Sequence, residues 1–384
     1  MSTKKIAVYI HIPFCEHICY YCDFNKVFIE GQPVDQYLQM LVLEMQLWLK
    51  RYPDVEIPTI YIGGGTPSSL SVDQLDYLLS NIIKNIDLSN VQEFTMEANP
   101  GDLTEEKLWV LQKYGVNRLS MGVQTFNNRL LKKIGRKHTA EDVEETLAFL
   151  AKNNFNNVSI DLIYALPGQT LEDFEDTLKR ALSYQLPHYS MYSLILENKT
   201  MFMNWVRKGN LILPSQDEEA AMFQLAIDTM KQAGYYQYEV SNFAKPGFTS
   251  KHNLIYWDNE HYFGFGAGAS GYVDNVRYRN YGPIQHYLKP LQTNQLPILS
   301  EEILSIREQM EEEMFLGLRK SEGVSIARFE DKFQKKFTDV YGKILPELVE
   351  QGYISYTIGE SIRLTQKGLF VGNDVFEKFL IDEK

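Results

Sequence analysis

The sequence predicts an α/β fold, an open partial barrel of six β/α units, followed by a small α+β domain. Two observations predict it. Over the first two thirds of the chain, apolar strand-like segments alternate with amphipathic helical segments, which is the pattern of a parallel sheet covered by helices. From about residue 285 the pattern changes to amphipathic helices that precede two short strand-like segments.

The individual elements follow from these periodicities. Strands are predicted at 6–12, 59–62, 93–97, 118–123, 158–165 and 189–196. Helices are predicted at 34–50, 72–86, 105–114, as a pair within 127–150, at 171–184 and at 216–233. Beyond these we expect helices at 301–316, 326–333 and 343–350, strands at 353–357 and 361–364, and a final helix. The chain thus divides into a barrel (1–235), an aromatic and glycine-rich connecting segment (236–285) and a C-terminal domain (286–384).

The composition excludes several classes of protein. Of the 384 residues, 44% are hydrophobic and 23% are charged, which is typical of a globular protein. The net charge of −12 argues against nucleic acid as the main partner. No apolar run approaches about 18 residues, and the N-terminal run is broken by His11 and Pro13, so neither a membrane span nor a signal peptide is predicted. A peripheral contact with a membrane surface is compatible with this sequence.

All three cysteines, Cys15, Cys19 and Cys22, lie in the string CEHICYYC. An odd, clustered set does not form a disulfide framework, and it predicts a reducing, cytoplasmic compartment. The C-x3-C-x2-C spacing suits three corners of a [4Fe-4S] cluster and leaves the fourth iron without a protein cysteine. Two alternatives remain open here, a zinc site completed by His17 and three buried cysteines without a metal.

The string YIHIPFCEHICYYCDF resembles the cluster-binding loop of radical S-adenosylmethionine (SAM) proteins, in the branch with oxygen-independent coproporphyrinogen oxidase and the haem chaperones. The resemblance implies a (β/α)6 barrel in which SAM binds the fourth iron through its amino and carboxylate groups. It also implies that an electron from the cluster can split SAM to a 5′-deoxyadenosyl radical. A C-terminal domain of the oxidase family and a homodimer are implied as well.

In such barrels the site lies at the carboxyl ends of the strands, and polar or glycine residues occur at those ends here. The GGGTP string follows the second strand, where glycines allow a ligand to approach the backbone, although a simple turn is the alternative. The SAM contacts implied by the resemblance are Tyr9, Gly64, Gly65, Thr66, Glu97, Gln124, Arg136 and Asp161. Asp161 lies in an apolar strand and therefore needs a partner, for which Arg136 is the nearest plausible cation; a salt bridge between them is the alternative to ligand binding.

A second glycine-rich string is interpreted as a close-packed segment and not as a dinucleotide-binding site. Gly266, Gly268 and Gly271 match the dinucleotide-binding pattern, but no β/α/β unit follows and no acidic residue lies about 20 residues further on. We therefore expect a close-packed segment near the mouth of the barrel.

The string HNLIYW suggests a site for haem. On a helix, His252 and Tyr256 share one face, and Asn253 and Trp257 share another. The string resembles the HNxxYW haem-binding motif of the haem chaperones, so these four residues are the predicted haem contacts, with His252 as the predicted iron ligand. Ordinary aromatic packing is the alternative.

Two departures from the oxidase pattern favour a chaperone. The oxidase has a further cysteine two residues after the third, where this chain has Phe24, and it has a long N-terminal extension, where this chain has 14 residues before Cys15. We therefore expect a haem chaperone that carries a [4Fe-4S] cluster, binds SAM and passes haem to an acceptor protein. The alternatives are a radical SAM oxidoreductase that acts on a tetrapyrrole and an interaction module that is stabilised by a zinc site. The resemblance allows reductive cleavage of SAM, whereas coproporphyrinogen oxidase activity is not expected.

Overall fold

A computed structural model describes residues 4–381. The strands are β1 (Lys4–Lys5), β2 (Ala7–Ile12), β3 (Phe14–Cys15), β4 (Val27–Phe28), β5 (Val55–Glu56), β6 (Thr59–Gly64), β7 (Glu93–Ala98), β8 (Arg118–Gln124), β9 (Val158–Tyr164), β10 (His188–Ser193), β11 (Tyr236–Glu239), β12 (Asn242–Ala244), β13 (Tyr262–Phe265), β14 (Ser270–Val273), β15 (Val276–Asn280), β16 (Ile298–Ile303), β17 (Val324–Ser325), β18 (Ile354–Thr357) and β19 (Ser361–Leu364). The helices are α1 (Val34–Arg51), α2 (Val72–Asn85), α3 (Glu105–Lys113), α4 (Asn128–Lys133), α5 (Ala140–Lys152), α6 (Leu171–Ser183), α7 (Met201–Arg207), α8 (Gln216–Gln232), α9 (Lys251–Trp257), α10 (Ile284–Leu291), α11 (Ile306–Gly317), α12 (Ile326–Phe333), α13 (Phe337–Tyr341), α14 (Leu345–Glu350), α15 (Gln366–Phe370) and α16 (Gly372–Glu377).

One large sheet organises the described part of the chain. Its twelve strands have the order β11-β12-β10-β9-β8-β7-β6-β2-β13-β14-β15-β16. The six predicted strands correspond to β2, β6, β7, β8, β9 and β10, which are consecutive neighbours and pair in parallel. The prediction of an open, parallel α/β core is therefore confirmed.

Residues 236–285 extend this sheet at both of its sides. The chain adds β12 antiparallel to β10 and then β13 parallel to β2, with α9 between them. Strand β13 also pairs antiparallel with β14. This pairing requires glycine at position 264, because a Cβ there would lie 1.9 Å from the carbonyl oxygen of Ser270. The segment that the sequence pattern presented as a connection thus contributes strands to the sheet.

The core between the sheet and the helices is built from side chains that alternate along each strand. In β2, the side chains of Val8, Ile10 and Ile12 are buried against the helices, as expected for a strand that is covered by helices. Helix α2 begins where Ser71 and Gln74 form a reciprocal capping box, in which each side chain bonds the other's backbone N–H. Such a cap satisfies backbone N–H groups that the helix itself leaves without partners, and it therefore fixes where the helix begins.

The prediction of a helix over 301–316 is wrong in its first part. Residues Ile298–Ile303 form β16, which pairs antiparallel with β15, and α11 begins only at Ile306. Ser305 caps α11 and forms a capping box with Glu308, a start signal that the sequence contains. The exposed edge of β15 outweighs the helix propensity of 301–303, because strand formation depends on the neighbours that are available.

The C-terminal part has a core of its own. Phe329, Phe333, Phe337 and Tyr341 pack together from α12 and α13. A three-stranded sheet in the order β17-β19-β18 covers this cluster. Ion pairs join it to the end of α9, among them Arg328 to Asp258 at 3.2 Å.

A buried carboxyl group anchors the glycine-rich segment. Glu44 of α1 is fully buried and accepts hydrogen bonds from the backbone N–H of Gly266 (2.8 Å), from the hydroxyl of Tyr287 (2.6 Å) and from the amide of Asn280 (2.6 Å). Burial raises its pKa to about 8, because the desolvation cost of the charged form exceeds the gain from three donors. The expectation of a close-packed glycine segment is confirmed by these contacts.

We expect Glu44→Gln to lower the free energy of unfolding by about 1–3 kcal/mol, since the amide places a donor against other donors. The ordinary pKa of the carboxyl is 4.5, so the unfolded chain loses this proton before the folded chain does. Stability in the wild type therefore falls as the pH rises from about 4.5 to about 8, and this fall is smaller in the variant. Thermal unfolding at several pH values measures both effects, with the exposed Glu301→Gln as the control. Equal pH slopes for wild type and Glu44→Gln would contradict the assignment.

Candidate functional site

The cysteine loop is closed at its base by a short pair of strands. Cys15 lies in β3, which pairs in parallel with β4. The backbone N–H of Val27 donates to the carbonyl of Pro13 at 2.8 Å, and that of Ile29 donates to the carbonyl of Cys15 at 2.9 Å. The loop that carries Cys19 and Cys22 therefore leaves and returns at fixed points beside β2.

Asn25 ties this loop to the glycine-rich segment. Its side-chain amide donates to the carbonyls of Ala267 (2.8 Å) and Gly282 (3.0 Å). Its own carbonyl lies 2.7 Å from Nε2 of His11, whose Nδ1 lies 2.9 Å from the hydroxyl of Tyr9. Sequence analysis missed Asn25, because the partners of its side-chain amide lie more than 240 residues away.

Aromatic packing holds the other side of the loop. Tyr20 packs against Trp205 of α7, with ring centroids 5.0 Å apart, and its backbone N–H donates to the carbonyl of Ile134 at 3.1 Å. Phe202 of α7 donates its backbone N–H to the carbonyl of Tyr20 at 3.1 Å. The loop is thus fixed to α4 and α7 as well as to the sheet.

Each thiol has a different environment. Cys15 is buried and accepts a hydrogen bond from the hydroxyl of Thr66 at 3.4 Å. Cys19 is partly exposed and lies 3.4 Å from Nη1 of Arg136, while Lys26 donates to the carbonyl of Cys22. Burial raises the pKa of the Cys15 thiol to about 11, so a metal displaces a proton when it binds there.

The first cavity joins the three cysteines to the strand ends. It has a volume of about 360 Å³. Its lining includes all three cysteines and residues from the carboxyl ends of five neighbouring strands. Of the predicted site residues it contains Cys15, Cys19, Cys22, Gly64, Gly65, Thr66, Glu97, Gln124, Arg136, Asp161 and Asn253. The structure thus brings together residues from the loop, β6, β7, β8, β9 and α9.

Glu97 is held at the floor of this cavity by two donors. The hydroxyl of Tyr61 donates to Oε1 at 2.8 Å, and the backbone N–H of Gly64 donates to Oε2 at 3.0 Å. Burial, with a smaller contribution from the charge of Asp161, raises the pKa of Glu97 to about 7. The carboxyl group can therefore donate or accept a hydrogen bond near neutral pH.

Asp161 and Arg136 have different partners from those expected. Ser120 donates to both carboxylate oxygens of Asp161 at 3.2 Å. Arg136 instead donates to Oδ1 of Asn99 (2.7 Å) and to the carbonyl of Gly122 (2.6 Å). Arg136 is therefore not the direct partner of Asp161, because both of its Nη groups are directed to other atoms. Burial raises the pKa of Asp161 above its usual value.

Close packing also requires glycine at two positions of the GGGTP string. Gly64 has φ +116°, and a Cβ at this position would lie 2.4 Å from the His11 ring. At Gly65 a Cβ would lie 2.8 Å from the carbonyl oxygen of Phe14. The chain itself approaches these glycines closely, in addition to any ligand in the cavity.

A second cavity of about 530 Å³ adjoins the first. The two share Phe24, Gly64 and Glu97 in their linings. Tyr9, predicted as a SAM contact, lines this second cavity, which also contains Tyr256 and Trp257. The HNLIYW string therefore contributes Asn253 to the first cavity and its tyrosine and tryptophan to the second.

His252 lies inside the wall between α9 and β6. It is 1% exposed. Its Nδ1 lies 2.8 Å from the hydroxyl of Thr59, and its Nε2 lies 2.9 Å from the hydroxyl of Tyr256. Its ring stacks on Tyr61, with centroids 5.2 Å apart, and burial lowers its pKa to about 3. The predicted helical pairing of His252 and Tyr256 is present, but iron ligation by His252 requires that one of these hydrogen bonds be broken.

Sequence analysis missed several polar residues that line the first cavity. These are Asn99, Arg118, Ser120, Ser190 and Tyr192. A signal for them exists, because each lies in or directly after a predicted strand and on the face that alternation assigns to the interior.

The donor set of the first cavity fits an iron–sulfur cluster. Within residues 4–381, no three histidine, cysteine, aspartate or glutamate side chains converge on a point suited to one metal ion. A [4Fe-4S] cluster is held differently, because each thiolate binds its own iron. In the described structure, Nε of Arg136 is buried without a hydrogen-bond partner, and Nη1 of the same side chain lies beside Cys19. A buried donor without a partner is expected where a group that accepts a hydrogen bond binds.

The fold and this site define a radical SAM protein. Residues 9–181 match the Radical SAM superfamily, and residues 288–371 match the HemN C-terminal domain. Coproporphyrinogen III oxidase (HemN) from Escherichia coli, a radical SAM enzyme, has a similar fold, with a TM-score of 0.85, 23% identity, and 98% of this chain and 90% of that chain covered.

Two relatives place the chain more narrowly. The heme chaperone HemW of Lactococcus lactis subsp. lactis (strain IL1403) is 52% identical over 383 residues, which cover 100% of this chain and 99% of that protein. The heme chaperone HemW of Bacillus subtilis (strain 168) is 48% identical over 375 residues, which cover 97% and 99% of the two chains. The chain belongs to the HemW family of radical SAM proteins.

Among the helices within residues 4–381, none combines the length and the apolar character needed to cross a bilayer.

We expect iodoacetamide to alkylate Cys19 and Cys22 faster than Cys15 in the folded, metal-free chain. Cys15 is 6% exposed and packs under Thr66, whereas the other two thiols are partly exposed. Mass spectrometry of peptides at successive times measures the three rates, and the urea-unfolded chain, in which all three are accessible, is the control. Equal labelling of Cys15 in the folded chain would show that the loop is held differently.

Proposed function

We propose that this chain is a haem chaperone that carries a [4Fe-4S] cluster and SAM in the first cavity, holds haem, and transfers it to an acceptor protein. The observation that carries the proposal is similarity over the full length to proteins named heme chaperone HemW. Three free thiols close together favour a reducing compartment, so we place this activity in the cytoplasm.

In this proposal Cys15, Cys19 and Cys22 hold the cluster. When bound, the cluster supplies an electron-transfer centre with one iron that lacks a protein ligand. Arg136 lies beside Cys19 and brings a positive charge to the thiolates, which lowers the cost of gathering negative charge in a partly buried site. Thr66 orients Cys15 through its hydroxyl hydrogen bond.

SAM then occupies the strand ends beside the cluster loop. The backbone of Gly64 and Gly65, with Thr66, offers polar atoms on one side of the cavity. Glu97, Gln124 and Asp161 offer carboxylate and amide groups suited to the amino and hydroxyl groups of SAM. Asp161 can also accept from a ligand hydroxyl, because its carboxylate lines the cavity beside the hydroxyls of Ser120 and Ser190, and a carboxylate has about four acceptor positions.

Haem binding is assigned to the HNxxYW motif on α9. The helix brings Tyr256 and Trp257 to the second cavity, beside the first. Aromatic rings of this kind cover a porphyrin well, since both are flat and apolar. Haem and SAM would accordingly lie near one another while binding to different residues.

Asp161→Asn is expected to weaken SAM binding by about 10–100-fold, the cost of losing a hydrogen bond to a charged acceptor. Isothermal titration of the anaerobic, cluster-loaded protein with SAM measures the affinity. The exposed carboxylate of Asp176 provides the matched control, Asp176→Asn, which is expected to bind SAM as the wild type does. An unchanged affinity in Asp161→Asn would remove Asp161 from the SAM site.

Cys19→Ser is expected to abolish the cluster absorbance after anaerobic reconstitution while haem binding persists. Spectra before and after haem addition, on wild type and variant, measure both chromophores, together with iron and sulfide analysis. A wild type that retains no iron or sulfide, or that contains zinc, would contradict the cluster assignment. Vinyl formation from coproporphyrinogen III with reductant and SAM would instead favour the oxidoreductase, although Phe24 stands where the oxidase pattern has a cysteine.

A further inference from the structure

The second cavity has the size and lining of a site for a flat aromatic ligand. Its volume of about 530 Å³ lies within the usual range for pockets that bind small molecules. Six phenylalanine, tyrosine and tryptophan side chains line it, namely Tyr9, Phe24, Tyr256, Trp257, Tyr262 and Tyr272. It is therefore more aromatic than the first cavity, whose lining is dominated by polar strand ends.

Two arginines from β15 line this cavity, and their partners differ. Arg277 donates to both carboxylate oxygens of Glu312, at 2.6 and 2.8 Å, so its charge is balanced within the protein. Arg279 lies two residues further along, on the same face of the strand, and is exposed. Within residues 4–381 its guanidinium group makes no hydrogen bond or ion pair, although Asp23, Glu97 and Glu260 carry carboxyl groups elsewhere in the lining.

The haem motif presents Tyr256 to this cavity, whereas His252 is enclosed. Tyr256 lines the cavity, and its ring packs edge-on against Tyr262 at 4.6 Å. His252 lies behind it, with each ring nitrogen within hydrogen-bond distance of a hydroxyl group. In one tautomer, Thr59 donates to Nδ1 while Nε2–H donates to the Tyr256 oxygen, so the chain of hydrogen bonds points toward the cavity.

From these contacts we infer that the second cavity binds a ferric, dicarboxylate tetrapyrrole, with the Tyr256 phenolate as the axial ligand of the iron, His252 as its positioning residue and Arg279 as the partner of a carboxylate. The inference rests on the proposed haem function and deepens it by replacing His252 with Tyr256 at the metal. Phenolate is an established axial ligand of haem iron.

Ligation is balanced without a redox change. A bond forms between the iron and the Tyr256 oxygen, a weakly held solvent ligand leaves the iron, and the phenolic proton passes to solvent through the cavity. The iron remains ferric. His252 stays neutral and donates through Nε2 to the phenolate, while the hydroxyl of Thr59 donates to Nδ1. Arg279, in contrast to Arg277, forms its ion pair with a propionate without giving up an existing partner.

Ferric haem titrated into the purified full chain tests the ligand. The wild type is expected to give the visible and resonance Raman signature of iron–phenolate ligation, and Tyr256→Phe is expected to lose it and to bind about tenfold or more weakly. Tyr77→Phe, an exposed tyrosine on α2 outside the lining of this cavity, is the matched control and keeps the signature. His252→Gln is expected to keep phenolate ligation with shifted vibrational frequencies, because the positioning donor changes.

Arg279→Gln tests the carboxylate partner. It is expected to weaken haem binding about tenfold without changing the ligation spectrum, and to have no effect on haem dimethyl ester, which lacks the carboxylates. Arg363→Gln, an exposed strand arginine far from the cavity, is the control. Equal loss for the ester would overturn the role of Arg279.

The remaining outcomes separate this inference from the proposed function. If the wild type binds haem with an imidazole signature that His252→Gln abolishes, Tyr256 is not the ligand and the haem function stands. If the wild type and Tyr256→Phe give identical spectra, the ligand assignment is again overturned alone. If the wild type binds no haem, the proposed function fails, and the inference fails with it. Circular dichroism and the thermal midpoint of each variant show whether it is folded.

Discussion

The parallel pairing of β2, β6, β7, β8, β9 and β10 is the constraint on which the site depends. Parallel strands place their carboxyl ends at one edge of the sheet, so residues that are far apart in sequence meet there. The cysteine loop leaves β2 at this edge, and Asn25 fixes it to the carbonyls of Ala267 and Gly282. A loop with three thiols is thereby held over the polar ends of five strands.

Sequence reasoning predicted this arrangement because its signals are local. Apolar segments indicate each parallel strand, and polar residues at their carboxyl ends mark the edge of the sheet, as Glu97 and Gln124 show. The partner of Asp161 was not predictable, because the choice between Ser120 and Arg136 depends on the bulge in β8 and on where Asn99 lies. The start of α11 was misjudged, although the Ser305–Glu308 cap was present, because β15 supplies a strand partner that the periodicity does not show.

The HNLIYW string likewise has one feature that the sequence predicts and one that only the tertiary structure decides. Spacing along the chain predicts that His252 and Tyr256 share a helical face, and they do. Which of them faces a cavity depends on β6, where Thr59 and Tyr61 enclose the imidazole from almost 200 residues away. Burial of this kind is decided by tertiary packing, so a motif identifies the residues involved without assigning the role of each.

The outer strand β16 has a consequence for how the chain behaves among its own copies. Its outward edge offers unpaired backbone groups, and Leu299 and Ile303 are 53% and 80% exposed. Such an edge promotes aggregation through strand addition. Glu301 and Glu302 lie in the middle of β16, and an antiparallel copy aligned there would bring like charges together. Copies of this chain at high concentration are thereby less prone to join edge to edge through β16, while its other edge stays paired with β15.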